Sequence, residues 1–280
     1  MLSSIFEIED EGKIGAGETA VIPASPAAMA AECRARASVY RLLSGVFVEE
    51  AAAEFLAAIR ADDMLRQLAE TGLRFDDDFV ATPLSELVET LAIEYASLFA
   101  ASGGFPPVES VRLYGRYKQE PEFATMQTYR RLGFVLQSGR HEVFADQLGV
   151  ELMFVAALLE RQAVRLDGDG HAQARELEKE IKRFWTQHLG RWARGYGRLV
   201  ERAASHSFYR EMGRFLAGFA EEEIGAMGLR VEDADQARLE VPKAEVQVAF
   251  DPDEPVCNGC ASEAIAQRSG IVSVLHDLRV

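Results

Sequence analysis

Residues 84–110 read LSELVETLAIEYASLFAASGGFPPVES, and the spacing of their apolar positions decides the fold class. Leu84, Leu87, Val88, Leu91, Tyr95, Leu98 and Phe99 recur at steps of three and four, the period of one face of an α-helix. Thr82-Pro83 precedes them, a hydroxyl for the first amides followed by a proline where no amide hydrogen is needed. Behind them Ser102-Gly103-Gly104 ends the helix and Pro106-Pro107 prevents its resumption. Val108-Glu109-Ser110-Val111 then reads as a stiff loop leaving a core helix, a location where functional residues often lie.

The same period extends in both directions. Ser25-Pro26 repeats the cap-plus-proline start, and Met29, Cys33, Val39, Tyr40, Leu43 and Phe47 supply a first long helix. Ala51 to Ala69 reads as two shorter helices pivoting near Asp62-Asp63, and Thr71-Gly72 ends the pair. Downstream, Phe123, Met126, Tyr129 and Leu132 mark a helix from Pro121. Leu148, Leu152, Val155 and Leu159 mark another, with Asp146 placed as its N-cap. Leu177, Ile181, Trp185, Leu189 and Trp192 continue the series, and Phe208, Met212, Phe215, Phe219 and Met227 close it. The expectation is an all-α chain, one domain of about seven to nine helices over residues 26–230. Residues 1–25 are expected to be a flexible extension, and 231–280 an acidic extension carrying a cysteine pair.

Charge narrows the partners. With 30 basic and 45 acidic residues the formal charge is −15, which opposes nucleic acid and anionic lipid and suits a basic or apolar peptide. No apolar run approaches the roughly 18 residues a membrane helix needs. The acid-rich start MLSSIFEIEDEGK lacks a basic segment ahead of an apolar one, so a cytoplasmic location is expected. Three cysteines make no disulfide framework. Cys257 and Cys260 are the only close pair; across the Asn258-Gly259 turn two thiolates can grip one metal ion, with His276 as a third ligand and a second copy completing the site. This defines an alternative reading, a metal- or cluster-carrying accessory factor; otherwise no cofactor is expected.

The motifs of phosphate loops, nucleophile elbows and HExxH zinc enzymes are absent, which favours a binding protein over an enzyme and leaves a nucleotide-binding or hydrolytic role without support. The five histidines are far apart in sequence. Glu94 and Glu151 fall among apolar neighbours, where a carboxylate needs a partner. They either bond to backbone or arginine to fix helix packing, or help hold a basic peptide. The run Glu221-Glu222-Glu223 reads as a solvated face.

Four motifs in order complete the reading: Glu94-Tyr95-x-x-Leu98-Phe99; Pro107-x-Glu109-Ser110-Val111; Asp146-x-Leu148-Gly149-Val150-Glu151-Leu152-x-Phe154; and Phe208-Tyr209. Together they resemble the TorD/DmsD/NarJ family of redox-enzyme maturation chaperones. The resemblance implies an all-helical cytoplasmic protein, a monomer or homodimer. Such a protein binds the catalytic subunit of a molybdenum enzyme, often through its twin-arginine leader peptide, until molybdopterin is inserted. Carried onto this sequence it nominates Tyr95, Leu98, Phe99, Pro107, Glu109, Ser110 and Asp146 as client-binding residues, with Gln147 and Glu151 beside them. The family's Pro-Asp-His hinge here reads Ala145-Asp146-Gln147, and a glutamine hydrogen-bonds without titrating near neutral pH.

Overall fold

The computed structural model describes residues 25–100, 103–136 and 144–241, all within one compact unit. The chain begins with α1 (Pro26–Phe47), where Ser25 Oγ accepts from the Ala28 amide at 3.2 Å and Pro26 opens the helix as its sequence predicts. Two short helices follow, α2 (Ala53–Ile59) and α3 (Asp62–Glu70), then the single turn α4 (Asp77–Val80) and the motif helix α5 (Leu84–Phe99). The middle of the chain holds α6 (Glu109–Tyr114), α7 (Glu120–Arg131) and α8 (Leu148–Asp167). Last come α9 (His171–Gln187), a 3-10 turn at Leu189–Arg191, α10 (Ala193–Ala203) and α11 (Ser207–Ala226). The fold is all-α; among the described residues the β-type pairing is an isolated bridge between Val108 and Gln147.

The centre is α8. Leu148, Leu152, Phe154, Val155, Ala156, Leu158, Leu159 and Ala163 are all buried, more than one face of the helix, because neighbours surround it on several sides. Helix α1 lies along it and approaches most closely at Gly149. A Cβ there would stand 2.7 Å from the Val48 backbone, so only glycine permits this crossing. Ser44 Oγ donates to the Gly149 carbonyl at 2.7 Å across the same contact. On the other side α10 and α11 cross with similar closeness: a Cβ on Gly197 would meet Gly213 O and Ala217 N at 2.7 Å.

Several local expectations change. Helix α5 has Pro83, not Thr82, at its N-cap, with no side-chain cap bond. Leu84 is 36% exposed while Leu87, Leu91, Leu98 and Phe99 carry the buried stripe. Val108 to Val111 is not a loop throughout, since α6 starts at Glu109. Residues after Arg230 do not all leave the domain: Asp235 is buried against Arg112 of α6, Nε to Oδ2 2.5 Å, and Arg112 also donates to the Arg238 carbonyl at 2.7 Å. Glu223 is no part of a solvated face. It accepts from Arg36 at 3.0 and 2.6 Å and from the Tyr40 hydroxyl at 2.6 Å, and Trp185 Nε1 donates to Tyr40 at 2.8 Å.

Candidate functional site

The segment after α5 and the start of α8 are pinned together. Leu148 N donates to Pro107 O at 2.8 Å, and Glu109 N donates to Asp146 O at 2.9 Å. Asp146, expected to cap its own helix, caps another: its Oδ2 accepts from the Ser110 amide in the first turn of α6 at 2.8 Å. Helix α8 has Gln147 at its N-cap, with no side-chain cap bond. Ser110 Oγ in turn accepts from Gln119 N at 3.2 Å, joining the start of α7. Tyr129 of α7 donates to Ala145 O at 2.8 Å. Three short bonds therefore hold 107–110 against 145–148, and two helix starts share one corner, where the positive ends of their dipoles favour carboxylates.

Carboxylates collect there. Glu109, Asp146 and Glu151 are completely buried and Glu122 nearly so. His188, at the end of α9, places Nδ1 2.9 Å from Glu109 Oε2, and Arg191 Nη1 lies 3.8 Å from Glu109 Oε1. Trp192 Nε1 donates to Glu151 Oε2 at 3.3 Å, and the Asp146 amide donates to Glu122 Oε2 at 3.3 Å. Glu109 Oε1, Asp146 Oδ1 and Glu151 Oε1 accept no hydrogen bond among the described residues. Burial, reinforced by the charges of Glu109 and Asp146, holds the Glu151 carboxyl well above the usual carboxylate range. Burial and then the hydrogen bond and charge of Asp146 push Glu122 up to about 7. At neutral pH this corner therefore retains protons that solvated carboxylates would have lost.

The accessible edge of the corner is different in kind. Gln147, half-buried, donates from Nε2 to Val48 O at 3.0 Å and Phe47 O at 3.4 Å, closing the last carbonyls of α1. Tyr95, also half-buried, donates to Phe47 O at 3.4 Å. Exposed Glu49 and Glu50 stand beside it: burial, and then the charges of Glu50 and Glu49, raise the Tyr95 hydroxyl above its ordinary pKa. Tyr95, Gln147, Glu49 and Glu50 thus form a rim where solvent meets the pinned corner.

The motif residues are brought together, but most are internal. Leu98 and Phe99 are buried; Phe99 packs its ring against Phe47, Tyr95 and Tyr209 at centroid distances of 5.9, 4.8 and 5.6 Å. Pro107, Glu109, Ser110, Asp146 and Glu151 are buried as well, so of the nominated residues Tyr95 and Gln147 are the ones with surface to offer. Glu94 takes the packing role: its Oε1 accepts from Ser205 N at 2.6 Å and His206 N at 3.0 Å, fixing the entry to α11. Cys257, Cys260 and His276 lie outside the described residues. Sequence reasoning missed Glu122, His188 and Trp192, whose partners are remote in the chain. It also missed Glu49 and Glu50, although two acids just beyond the negative end of a helix are an unfavourable placement that could have drawn notice.

The domain thus combines a hydrogen-bonded internal corner with an acidic rim that faces solvent. A family model described as the nitrate reductase delta subunit matches residues 64–196. That stretch, just under half of the chain, contains α5 to α9 and three of the four motifs. The match supports the likeness to the TorD/DmsD/NarJ group of redox-enzyme maturation chaperones. A search of curated proteins found no match. No described helix is long and apolar enough to cross a membrane.

Proposed function

We propose that this chaperone acts in the cytoplasm on the catalytic subunit of a molybdenum oxidoreductase. It engages that subunit's twin-arginine leader at the rim formed by Tyr95, Gln147, Glu49 and Glu50, and holds it until the cofactor is inserted. The observation that carries the reading is the position of this rim: the accessible members of the family motif meet two exposed carboxylates at one edge. A leader offers arginines followed by an apolar segment. Exposed acids bind guanidinium without the desolvation cost that the buried acids would incur, and the Tyr95 ring gives an apolar surface beside them. The buried motif residues then serve to keep the rim in place.

The test is binding of a twin-arginine leader peptide, and of the client subunit, to the full chain by calorimetry and co-purification. Glu49→Lys with Glu50→Lys should weaken leader binding at least tenfold and flatten its salt dependence, while Tyr95→Ala should weaken it with the salt dependence retained. Full-strength binding by the double lysine variant would exclude this rim. Absence of binding to any molybdoenzyme subunit or leader would overturn the function.

A further inference from the structure

Glu109, Glu151 and His188 come from three separate elements: the first turn of α6, the first turn of α8 and the junction between α9 and the 3-10 turn. Each offers one donor atom, these atoms all lie within 4.8 Å of one another, and all three residues are buried. His188 Nδ1 and Glu109 Oε2 are 2.9 Å apart, the length of a hydrogen bond and also the separation of two ligands about 90° apart on one ion at about 2.0–2.1 Å. Glu109 Oε1 and Glu151 Oε1 lack hydrogen-bond partners among the described residues, although both side chains are fully buried. Buried carboxylate oxygens without donors are costly unless a proton or a cation is bound beside them, and Arg191 at 3.8 Å is the cation near Glu109 Oε1.

We propose that Glu109, Glu151 and His188 bind one divalent transition-metal ion. Two carboxylates and one imidazole form a donor set suited to zinc and its first-row neighbours. An outer layer is already in place: Trp192 Nε1 holds Glu151 Oε2, and Arg191 stands 3.8 Å from Glu109 Oε1. Such contacts orient ligating carboxylates. The ion ties α9 to the corner where α6 and α8 begin. This site is distinct from Cys257 and Cys260 and does not rest on the leader-binding reading.

The experiment uses the full chain with Cys257→Ser and Cys260→Ser, stripped with chelator and then titrated with Zn2+ alone and with Co2+ alone. The expected result is uptake of one equivalent, a rise in melting temperature, and a visible Co2+ spectrum of nitrogen–oxygen ligation without thiolate bands. Glu151→Gln and His188→Ala, each checked for helical content, should lower the Zn2+ affinity at least tenfold. No uptake by the cysteine-free chain overturns the proposal, as does uptake with the same affinity and spectrum in both variants. A Glu151→Gln chain that gains stability while the parent takes up no ion would show that the carboxylates share a proton instead, and would equally overturn it.

Discussion

Glu122→Gln isolates the proton held beside Asp146. In the folded chain the Glu122 carboxyl sits at about 7, against an ordinary value of 4.5, because burial and the adjoining Asp146 disfavour its ionised form. The native state therefore binds a proton that the unfolded chain has released, and stability falls as pH rises from about 4.5 through about 7. A difference of this size corresponds to about 3 kcal/mol in all, at about 1.4 kcal/mol per pH unit. Glutamine reproduces the protonated side chain: its carbonyl accepts from the Asp146 amide as Glu122 Oε2 does at 3.3 Å, and its NH2 donates where the carboxyl proton would. Urea unfolding followed by helical circular dichroism, from about pH 5 to about pH 8, should show the variant gaining about 2–3 kcal/mol over the parent across that range. Parallel stability curves would refute the raised Glu122 carboxyl.

Two further substitutions test the architecture. Gly149→Ala places a Cβ 2.7 Å from the Val48 backbone and should destabilise the domain by about 1–3 kcal/mol; an unchanged melting temperature would remove the claim that α1 and α8 require this close crossing. Asp235→Ala leaves Arg112, whose side chain is 2% exposed, without its carboxylate, and the loss should be about 3–5 kcal/mol. A chain ended after Arg230 should lose at least as much, and a truncated chain as stable as the parent in urea would show that 231–241 is a detachable tail.

The legible parts of the fold were those whose information is local. The stripe Leu87, Leu91, Leu98 and Phe99 specifies α5, and Ser25-Pro26 specifies the start of α1, because period and capping are properties of adjacent residues. Helix α10 carries two poor helix formers, Gly195 and Gly197, and was not singled out in the sequence; Gly197 makes room for the backbone of α11, a reason that only the packing reveals. Helix α6, six residues following two prolines, is too short for its period to register. The site divides in the same way. The motifs brought Asp146 and Ser110 into one constellation, but not that Asp146 caps the other helix. His188 pairs with Glu109 across 79 positions, and Asp235 with Arg112 across 123; no spacing rule reaches that far.

Burial changes what the motif residues can be asked to do. Leu98 and Phe99, the most prominent letters of the helix motif, are only 5% and 6% exposed. Replacing each with alanine would cost about 2–5 kcal/mol of folding free energy. Lost client binding in that variant would report a damaged core as readily as a damaged contact. Glu109, Asp146 and Glu151 are equally unsuited to a first encounter, since an arginine reaching them would have to shed its water along with theirs. Glu49 and Glu50, both exposed, can be changed without opening the core, so they separate contact from scaffold. Gln147 adds a constraint of its own: where the family carries a titrating histidine, this chain carries an amide that closes the end of α1 at 3.0 Å. The raised Glu122 carboxyl behind the rim is one group whose titration falls near neutrality, and Glu122→Gln would remove its share of any pH dependence of client binding while Gln147→Ala would not.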